Sequence, residues 1–170
     1  DKTINELVKA CFDMGEVKTG ALIVIEQKNR LDEYIRTGIN VDAVLSSQLL
    51  INIFEHNTPL HDGAVVMRGN RIVAATCYLP LSDNMELSKQ LGTRHRAGVG
   101  ISEVSDSVTI IVSEETGQIS VAQEGKLERN VSSAKLREIL EKAQNKTIVD
   151  NNKLRQLLKG RSKNEGKTDK

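Results

Sequence analysis

Aromatic side chains are almost absent from this chain of 170 residues, which has no Trp, two Tyr and two Phe. Proteins that hold single-stranded nucleic acid without sequence preference stack its bases on aromatic rings, so the composition disfavours that class. The formal net charge of only +1 at pH 7 also supplies no general positive field for a phosphate backbone. Both features predict that the protein has no nucleic-acid partner.

Cysteine is scarce as well, and Cys11 and Cys77 form no C-x-x-C pair. We expect two reduced core residues of a cytosolic protein rather than a disulfide or zinc framework. No run approaches the ~20 apolar residues of a membrane span, and no signal peptide is visible. The chain opens at Asp1 rather than Met, so we expect a piece of a longer protein, whose preceding segment could hold an anchor.

The residues that are present indicate a soluble globular protein, with 38% hydrophobic and 28% charged side chains. Apolar residues at helical spacing predict a first helix ending near Gly15. The apolar run GALIVIEQ (20–27) predicts a strand covered on both faces, as in an α/β sheet. The run SSQLLINIFEH (46–56) predicts a helix capped by one of its two serines.

Two strand pairs are predicted further along. Residues 64–67 and 71–79 are predicted to be strands joined by a turn at Gly69-Asn70. Another pair turns at Thr116-Gly117, and a short turn follows at Glu124-Gly125. With the helices, these strands predict an α/β fold, a single domain whose central mixed β-sheet is flanked by helices.

The end of the chain is more polar. SSAKLREILEKAQ (132–144) predicts a capped helix, and a last short helix runs through Leu154 and Leu157 to Gly160. RSKNEGKTDK (161–170) is typical of a disordered tail. We therefore place the domain at 1–145, and a short helix with a polar, disordered tail at 146–170.

The stretch HDGA places His61 and Asp62 directly before an apolar strand. A carboxylate at the mouth of a strand is suited to holding Mg²⁺ or Mn²⁺, and Gly63 with Ala64 keeps the backbone thin enough for close approach of a ligand. The alternative is an ordinary turn in which Asp62 caps its own backbone.

The stretch GTRHRAG predicts a helix with Thr93 at its N-cap. A helix N-terminus binds anions through its free N–H groups, and Arg94 and Arg96 add positive charge with the fork geometry that phosphates need. A solvated basic helix start is the alternative. It is disfavoured because positive charge near a helix N-terminus is unfavourable without a compensating anion.

Polar residues also follow two strands. Ser113, Glu114 and Glu115 end the strand VTIIV, where α/β sheets place ligands, although a hairpin turn with solvated acids would look the same. Tyr78 and Leu79 end another strand and could frame a flat ring or belong to the core.

Several other chemistries are excluded. A metal-dependent phosphohydrolase with an HD pair needs further His and Asp ligands on helices, but the only other histidines are His56 and His95. No Walker loop, no G-x-G-x-x-G fingerprint and no G-x-S-x-G elbow occurs.

The motif DGA at 62–64 is followed, about thirty residues later, by the motif GTRHRA at 92–97. In this arrangement they resemble the diadenylate cyclase (DAC) domain, in particular its membrane-associated bacterial type. The resemblance runs from the first helix to about Arg129 and includes GTRHRAGVGISEVSDSVTIIVSEETG (92–117). It implies a DAC-type fold and an enzyme that joins two ATP into cyclic di-AMP and two pyrophosphates with Mg²⁺ or Mn²⁺. One nucleotide site per chain then implies a face-to-face homodimer.

The resemblance also implies roles for individual residues. Those implied to be catalytic are Asp62, Gly63, Ala64, Arg94, His95 and Arg96. Those implied to bind ATP are Gly63, Tyr78, Leu79, Thr93, Arg94, His95, Ser113 and Glu115. Those implied as metal ligands are Asp62, His61 and Glu115. For Arg96 a structural pairing with an acid that orients the loop is the alternative.

Members of the membrane-associated type carry transmembrane helices before the cyclase domain. Their absence here predicts a soluble catalytic fragment, the cytoplasmic domain of a protein anchored to the cell membrane. The resemblance also suggests phosphoglucosamine mutase and a membrane regulator as partners. Two other functions stay open: a non-catalytic module that binds ATP or cyclic di-AMP, and an unrelated phosphate-binding structural domain.

Overall fold

The computed structural model describes residues 1–164, which form five helices and seven strands. In chain order these are α1 (Lys2–Glu16), β1 (Ala21–Ile25), α2 (Asp32–Ile35), β2 (Ile39–Val44), α3 (Ser47–Phe54), β3 (Ala64–Arg68), β4 (Arg71–Cys77), α4 (Thr93–Val104), β5 (Val108–Val112), β6 (Ile119–Gln123), β7 (Lys126–Glu128) and α5 (Ser133–Asn164).

All seven strands belong to one sheet with the order β2-β4-β3-β1-β5-β6-β7. The central strand β1 runs parallel to β3, with Ile23 beside Val65, and antiparallel to β5, with Ile23 beside Ile110. Every other neighbouring pair is antiparallel. The sheet is therefore mixed, and the predicted α/β fold is confirmed.

The core has two layers because helices cover both faces of the sheet. Ala21 and Ile23 of β1 point into a cluster built with α1, α3 and α5. Leu22 and Val24 point into a second cluster that α4 completes. This explains why β1 is apolar at every position rather than at alternate ones.

Two predictions about helix ends were wrong. Thr93 is the first helical residue of α4, and Gly92 occupies the N-cap position that we expected for Thr93. The separate short helix near Leu154 does not exist, because α5 continues without interruption from Ser133 to Asn164.

The continuity of α5 has a simple cause. No Pro interrupts the polar stretch after Asn145, and the first Gly comes only at Gly160. An ion pair of 2.7 Å between Lys28 and Asp150 also holds this part of the helix against the loop after β1. The helix thus crosses the predicted boundary at 145/146, and the rest of the predicted tail (165–170) lies outside the described residues. Among residues 1–164, no helix has both the length and the apolar character that a membrane crossing requires.

Candidate functional site

The strand directions bring the predicted site segments to one edge of the sheet. Ala21, at the start of β1, lies beside Val112 at the end of β5, and Ala64, at the start of β3, lies beside Cys77 at the end of β4. The segments next to these four residues therefore share what we call the site edge. They are Gly20, 61–63, 78–79 and 113–118.

A cleft of about 160 Å³ opens at the site edge between the start of α4 and the turn that joins β5 to β6. Five predicted site residues line it: Thr93, Arg94, His95, Ser113 and Glu115. Its other lining residues are Gln90, Leu91, Gly92, Val112, Glu114, Thr116, Gln118, Ser120 and Arg129.

The N-terminus of α4 is left without a side-chain cap. Asp1, Ser46 and Ser132 accept hydrogen bonds from backbone N–H groups at the starts of α1, α3 and α5. Gly92 has no side chain to do this for α4. The N–H groups of its first turn therefore remain available to an anion in the cleft.

Arg94 brings a positive charge into the cleft with only a weak internal partner. Its side chain is 23% exposed, and its Nη1 lies 3.3 Å from a carboxylate oxygen of Glu114, whose side chain is 63% exposed. A single exposed contact of this length contributes little free energy. The guanidinium can therefore exchange Glu114 for a phosphate, which offers it better fork geometry.

His95 is buried in the wall of the cleft. Burial lowers its pKa, the nearby positive charges of Arg129 and Arg94 lower it further, and Glu115 opposes them. The imidazole is therefore neutral at pH 7, and an anion entering the cleft would favour its protonation. The protonation of His95 is therefore expected to depend on whether an anion such as phosphate occupies the cleft.

The β5–β6 turn combines both roles considered for it. The Ser113 hydroxyl accepts hydrogen bonds of 3.2 Å from the N–H groups of Glu115 and Thr116, so Ser113 shapes a hairpin turn. The same turn forms one wall of the cleft, where Glu115 and Thr116 are exposed. Being a turn and lining the cleft are compatible here.

His61 and Asp62 face each other at the site edge, outside the cleft lining. The His61 Nδ1 lies 2.7 Å from the Thr58 carbonyl oxygen, which can only accept, so Nδ1 carries a proton. Its Nε2 lies 3.4 Å from a carboxylate oxygen of Asp62, whose side chain is 85% exposed. A neutral imidazole would point a lone pair at the carboxylate, an arrangement that a cation stabilises.

This pair fits a divalent cation, since imidazole nitrogen and carboxylate oxygen both ligate Mn²⁺ and the carboxylate suits Mg²⁺. Asp62 accepts no backbone hydrogen bond among residues 1–164, which disfavours its interpretation as a turn cap. The described residues contain no group of three or more His, Cys, Asp or Glu side chains placed to hold a metal. Glu115 lines the cleft whereas His61 and Asp62 do not, so the three predicted ligands form no ready-made set.

Gly63 and Ala64 are small residues whose roles here are structural: backbone conformation for Gly63 and core packing for Ala64. Gly63 has a φ of +78°, and a Cβ there would lie 2.9 Å from the carbonyl oxygen of Cys77. A side chain is excluded on both counts. Ala64 is fully buried in the core cluster beneath α4, so its side chain is not available to a ligand.

The remaining predicted residues also lie outside the cleft lining. The Arg96 carbonyl accepts a 2.9 Å bond from the Ser82 N–H, which ties α4 to the preceding loop. Tyr78 is 77% exposed, so it is not a core residue, whereas Leu79 is half-buried against the second core cluster.

Sequence reasoning missed Arg129 and Gly20. Arg129 follows β7 and reaches the cleft because β6 and β7 fold back beside β5. No local motif marks it. In the sequence, Gly20 is only the first residue of the run GALIVIEQ, and its closeness to Arg94 depends on the packing of α4 against β1.

Comparison with known proteins agrees with this geometry. Residues 8–127 match the family model "DAC: DisA bacterial checkpoint controller nucleotide-binding". The cyclic di-AMP synthase CdaA of Bacillus subtilis is 53% identical over 160 residues, which cover 94% of this chain and 59% of that protein. A diadenylate cyclase of Listeria monocytogenes is 56% identical over 137 residues, which cover 81% of this chain and 50% of the relative.

A solved structure is also similar. The crystal structure of a double cysteine mutant of DacA from Staphylococcus aureus aligns with a TM-score of 0.82 at 53% identity, covering 84% of this chain and 95% of that one. The chain spans roughly half the length of the curated relatives it matches. With a family model matched over most of its length, the chain belongs to the DAC family of bacterial nucleotide-binding domains.

Proposed function

We propose that this chain is the catalytic domain of a diadenylate cyclase, a nucleotidyltransferase that joins two ATP molecules into cyclic di-AMP and releases two pyrophosphates. One observation carries the proposal. An uncapped helix N-terminus with a nearly free arginine, and an exposed aspartate beside a histidine, lie at the same sheet edge. The first pair suits a triphosphate and the second suits activation of a hydroxyl group.

The cleft supplies the triphosphate grip. The first-turn N–H groups of α4 and the Arg94 guanidinium bind phosphate oxygens, with Thr93, His95 and Ser113 on the surrounding walls. Arg129 adds a second positive charge to the lining of the cleft. These groups stabilise the negative charge that builds up on the leaving pyrophosphate.

Asp62 takes the proton in each transfer. The 3′ oxygen of one ATP bonds to the α-phosphorus of the other, and the bond from that phosphorus to pyrophosphate breaks. The proton of the 3′-hydroxyl passes to the Asp62 carboxylate, whose 85% exposure leaves it open to a nucleotide. A second, symmetric transfer closes the ring.

The symmetry of the product requires two such sites. Each chain offers one cleft and one Asp62, so two copies related by a two-fold axis present two ATP molecules to each other. Gly63 gives backbone contact, and Tyr78 with Leu79 frames the adenine. The high exposure of Tyr78 supports this role, since its ring is free to stack on a base.

Mg²⁺ or Mn²⁺ is the proposed cofactor. The His61 Nε2 and the Asp62 carboxylate would hold it, with Glu115 as a further candidate from the cleft side. When bound, such an ion lowers the pKa of a coordinated hydroxyl and neutralises phosphate charge. Attachment of the full-length protein to a membrane, and control by phosphoglucosamine mutase or a membrane regulator, stay predictions from the family resemblance.

The test is direct. The chain is incubated with ATP and Mg²⁺ or Mn²⁺, and cyclic di-AMP is sought by ion-exchange chromatography with mass detection. Product from the wild-type chain but not from Asp62→Asn would support the cyclase. A metal-dependent thermal shift with ATP but no product would favour the non-catalytic binding module instead. If the wild-type chain gives no product and ATP causes no thermal shift, the proposed nucleotide site is excluded.

A further inference from the structure

Gly20 lies at the entrance of β1, where its missing side chain makes room for the guanidinium of Arg94. A Cβ on Gly20 would lie 2.7 Å from Nη1 and 2.8 Å from Cζ of Arg94. Both distances are shorter than real Cβ contacts allow. The charged end of Arg94 therefore rests directly on the Gly20 backbone.

Backbone conformation does not explain this glycine. Gly63, Gly69, Gly117 and Gly125 have positive φ values, and Gly20 is not among them. Alanine is thus compatible with the local backbone at position 20, and the obstacle to a side chain there is Arg94 itself.

Other glycines of the described chain are close to different kinds of atom. A Cβ on Gly100 would meet the Pro80 carbonyl oxygen at 1.9 Å, and one on Gly98 would meet the Ile111 side chain at 2.8 Å. Those contacts belong to the backbone and the core. Gly20 is the one glycine of residues 1–164 whose added Cβ would strike a cleft side chain.

We propose that Gly20 is a positioning residue for nucleotide binding, because it lets the Arg94 guanidinium lie flat against the strand entrance and face the cleft. The proposal rests on the proposed function of the cleft. Among the described residues, only the exposed Glu114 makes an ion pair with this guanidinium, at 3.3 Å. A methyl group at position 20 displaces the guanidinium from this place, and the single contact with exposed Glu114 is too weak to hold it in the orientation that faces the cleft.

The expected effect falls on affinity rather than on folding. The atoms that must give way are the far end of a flexible side chain, which can move without disturbing the core. Gly20→Ala should therefore leave thermal stability nearly unchanged. It should weaken binding of a nucleoside triphosphate roughly tenfold, because part of a charge-assisted interaction with phosphate is lost.

The experiment measures binding without turnover. Calorimetric titration with 3′-deoxy-ATP and Mg²⁺ is made on the wild-type chain, Gly20→Ala, Arg94→Ala and the double variant, since this nucleotide lacks the attacking hydroxyl. Gly160→Ala is the matched control, because a Cβ at Gly160 meets nothing within 4 Å. We expect Gly20→Ala to weaken binding in the presence of Arg94 and to have no further effect once Arg94 is Ala.

Each outcome has a defined meaning. If Gly20→Ala binds as the wild type does, or weakens binding equally with and without Arg94, Gly20 does not act through Arg94 and the inference is overturned. If Gly20→Ala unfolds, the double variant decides: restored folding supports the clash with Arg94, and continued unfolding assigns Gly20 a purely structural role. A wild-type chain that does not bind 3′-deoxy-ATP overturns the proposed function as well.

Discussion

The site edge and the edge at the other ends of the same strands carry similar charged residues. At one edge the charges are fully paired within the fold, and at the site edge they are not. At the edge opposite the site, Arg68 ends β3 and makes two bonds to Glu26, of 2.7 and 2.9 Å. Glu26 also accepts the Leu31 N–H at 2.9 Å, and Arg68 makes a further 3.0 Å bond to Asp32. The Glu26 side chain is 4% exposed, so these bonds satisfy a buried carboxylate.

At the site edge the charges are left incomplete. Arg94 has one long contact with an exposed glutamate, and Asp62 has one long contact with a histidine. The difference teaches that pairing, rather than the number of charges, separates the two edges. Charges satisfied within the fold hold the strand ends together, whereas incompletely paired charges retain the capacity to bind a ligand.

The largest expected effect comes from neutralising the exposed aspartate of the site edge. Asp62→Asn should reduce cyclic di-AMP formation by ~10²–10⁴-fold, the usual contribution of a general base. Thermal stability should not change, since the side chain is almost fully exposed. The matched control is Asp42→Asn, which alters an exposed aspartate paired with Arg71 on the other side of the molecule. An equal loss of activity in both variants would show that Asp62 has no special role.

Removing the Arg68–Glu26 ion pair at the opposite edge should lower the free energy of unfolding rather than the activity. Arg68→Met leaves the Glu26 carboxylate buried without its main partner. We expect the free energy of unfolding to fall by about 2–4 kcal/mol, toward the low end of the range for broken buried pairs because Arg68 is partly exposed. Urea denaturation measures the loss. Nucleotide affinity of the folded variant should match that of the wild type, and a large loss of affinity would contradict the separation of the two edges.

A smaller effect is expected at Arg94. Arg94→Ala should weaken ATP binding by roughly 10–100-fold, in line with the loss of charge-assisted hydrogen bonds. Stability should hardly change, because the ion pair lost is the exposed one with Glu114. Titration calorimetry gives the affinity, with Arg71→Ala as the control for removal of a surface arginine. Unchanged affinity in Arg94→Ala would remove Arg94 from the phosphate site.

The smallest effect concerns pH at the opposite edge. Burial alone would raise the pKa of Glu26, but the bonds from Arg68 and the Leu31 N–H outweigh it, and the pKa lies below its ordinary value. The stabilisation by Glu26 is therefore complete above the unfolded pKa of about 4.3 and is lost as pH falls through the lower folded value. The stability advantage of the wild type over Glu26→Gln should shrink below about pH 4.3. An advantage that stays constant down to about pH 2 would contradict this account.

Local pattern was enough to predict the elements that form the centre of the fold. The run GALIVIEQ is apolar because both faces of β1 are covered, and Ser46 caps α3 through its own side chain. The edge strand β2 was not predicted, since its residues are mostly exposed and a bulge near Asp42, with a positive φ, breaks the alternation.

For the site too, only signals that lie within a few neighbouring residues could be predicted from the sequence. Thr93, Arg94 and His95 were predicted from one motif, and Ser113 with Glu115 from the end of one strand, because each signal lies within a few residues. Gly20 and Arg129 could not be found in this way. Gly20 lies near Arg94 because β1 pairs with β5, which is far away in the sequence, whereas Arg129 reaches the cleft only after two successive hairpins. No local motif marks either residue.

The non-sequential strand order has a thermodynamic consequence. The central strand β1 pairs with β3 on one side and β5 on the other, so the site edge joins residues as distant as Gly20 and the turn at 113–118. The residues that line the cleft all lie between Gln90 and Arg129, but the site edge also takes Gly20, 61–63 and 78–79 from the first half of the chain. A ligand bound across the whole site edge therefore recognises only the assembled sheet. Binding is therefore linked to global unfolding: a ligand at about 100 times its Kd adds about 2.7 kcal/mol to the stability of the whole domain. If the site edge binds a nucleotide as proposed, the nucleotide concentration becomes one of the variables that set how much of the chain is folded.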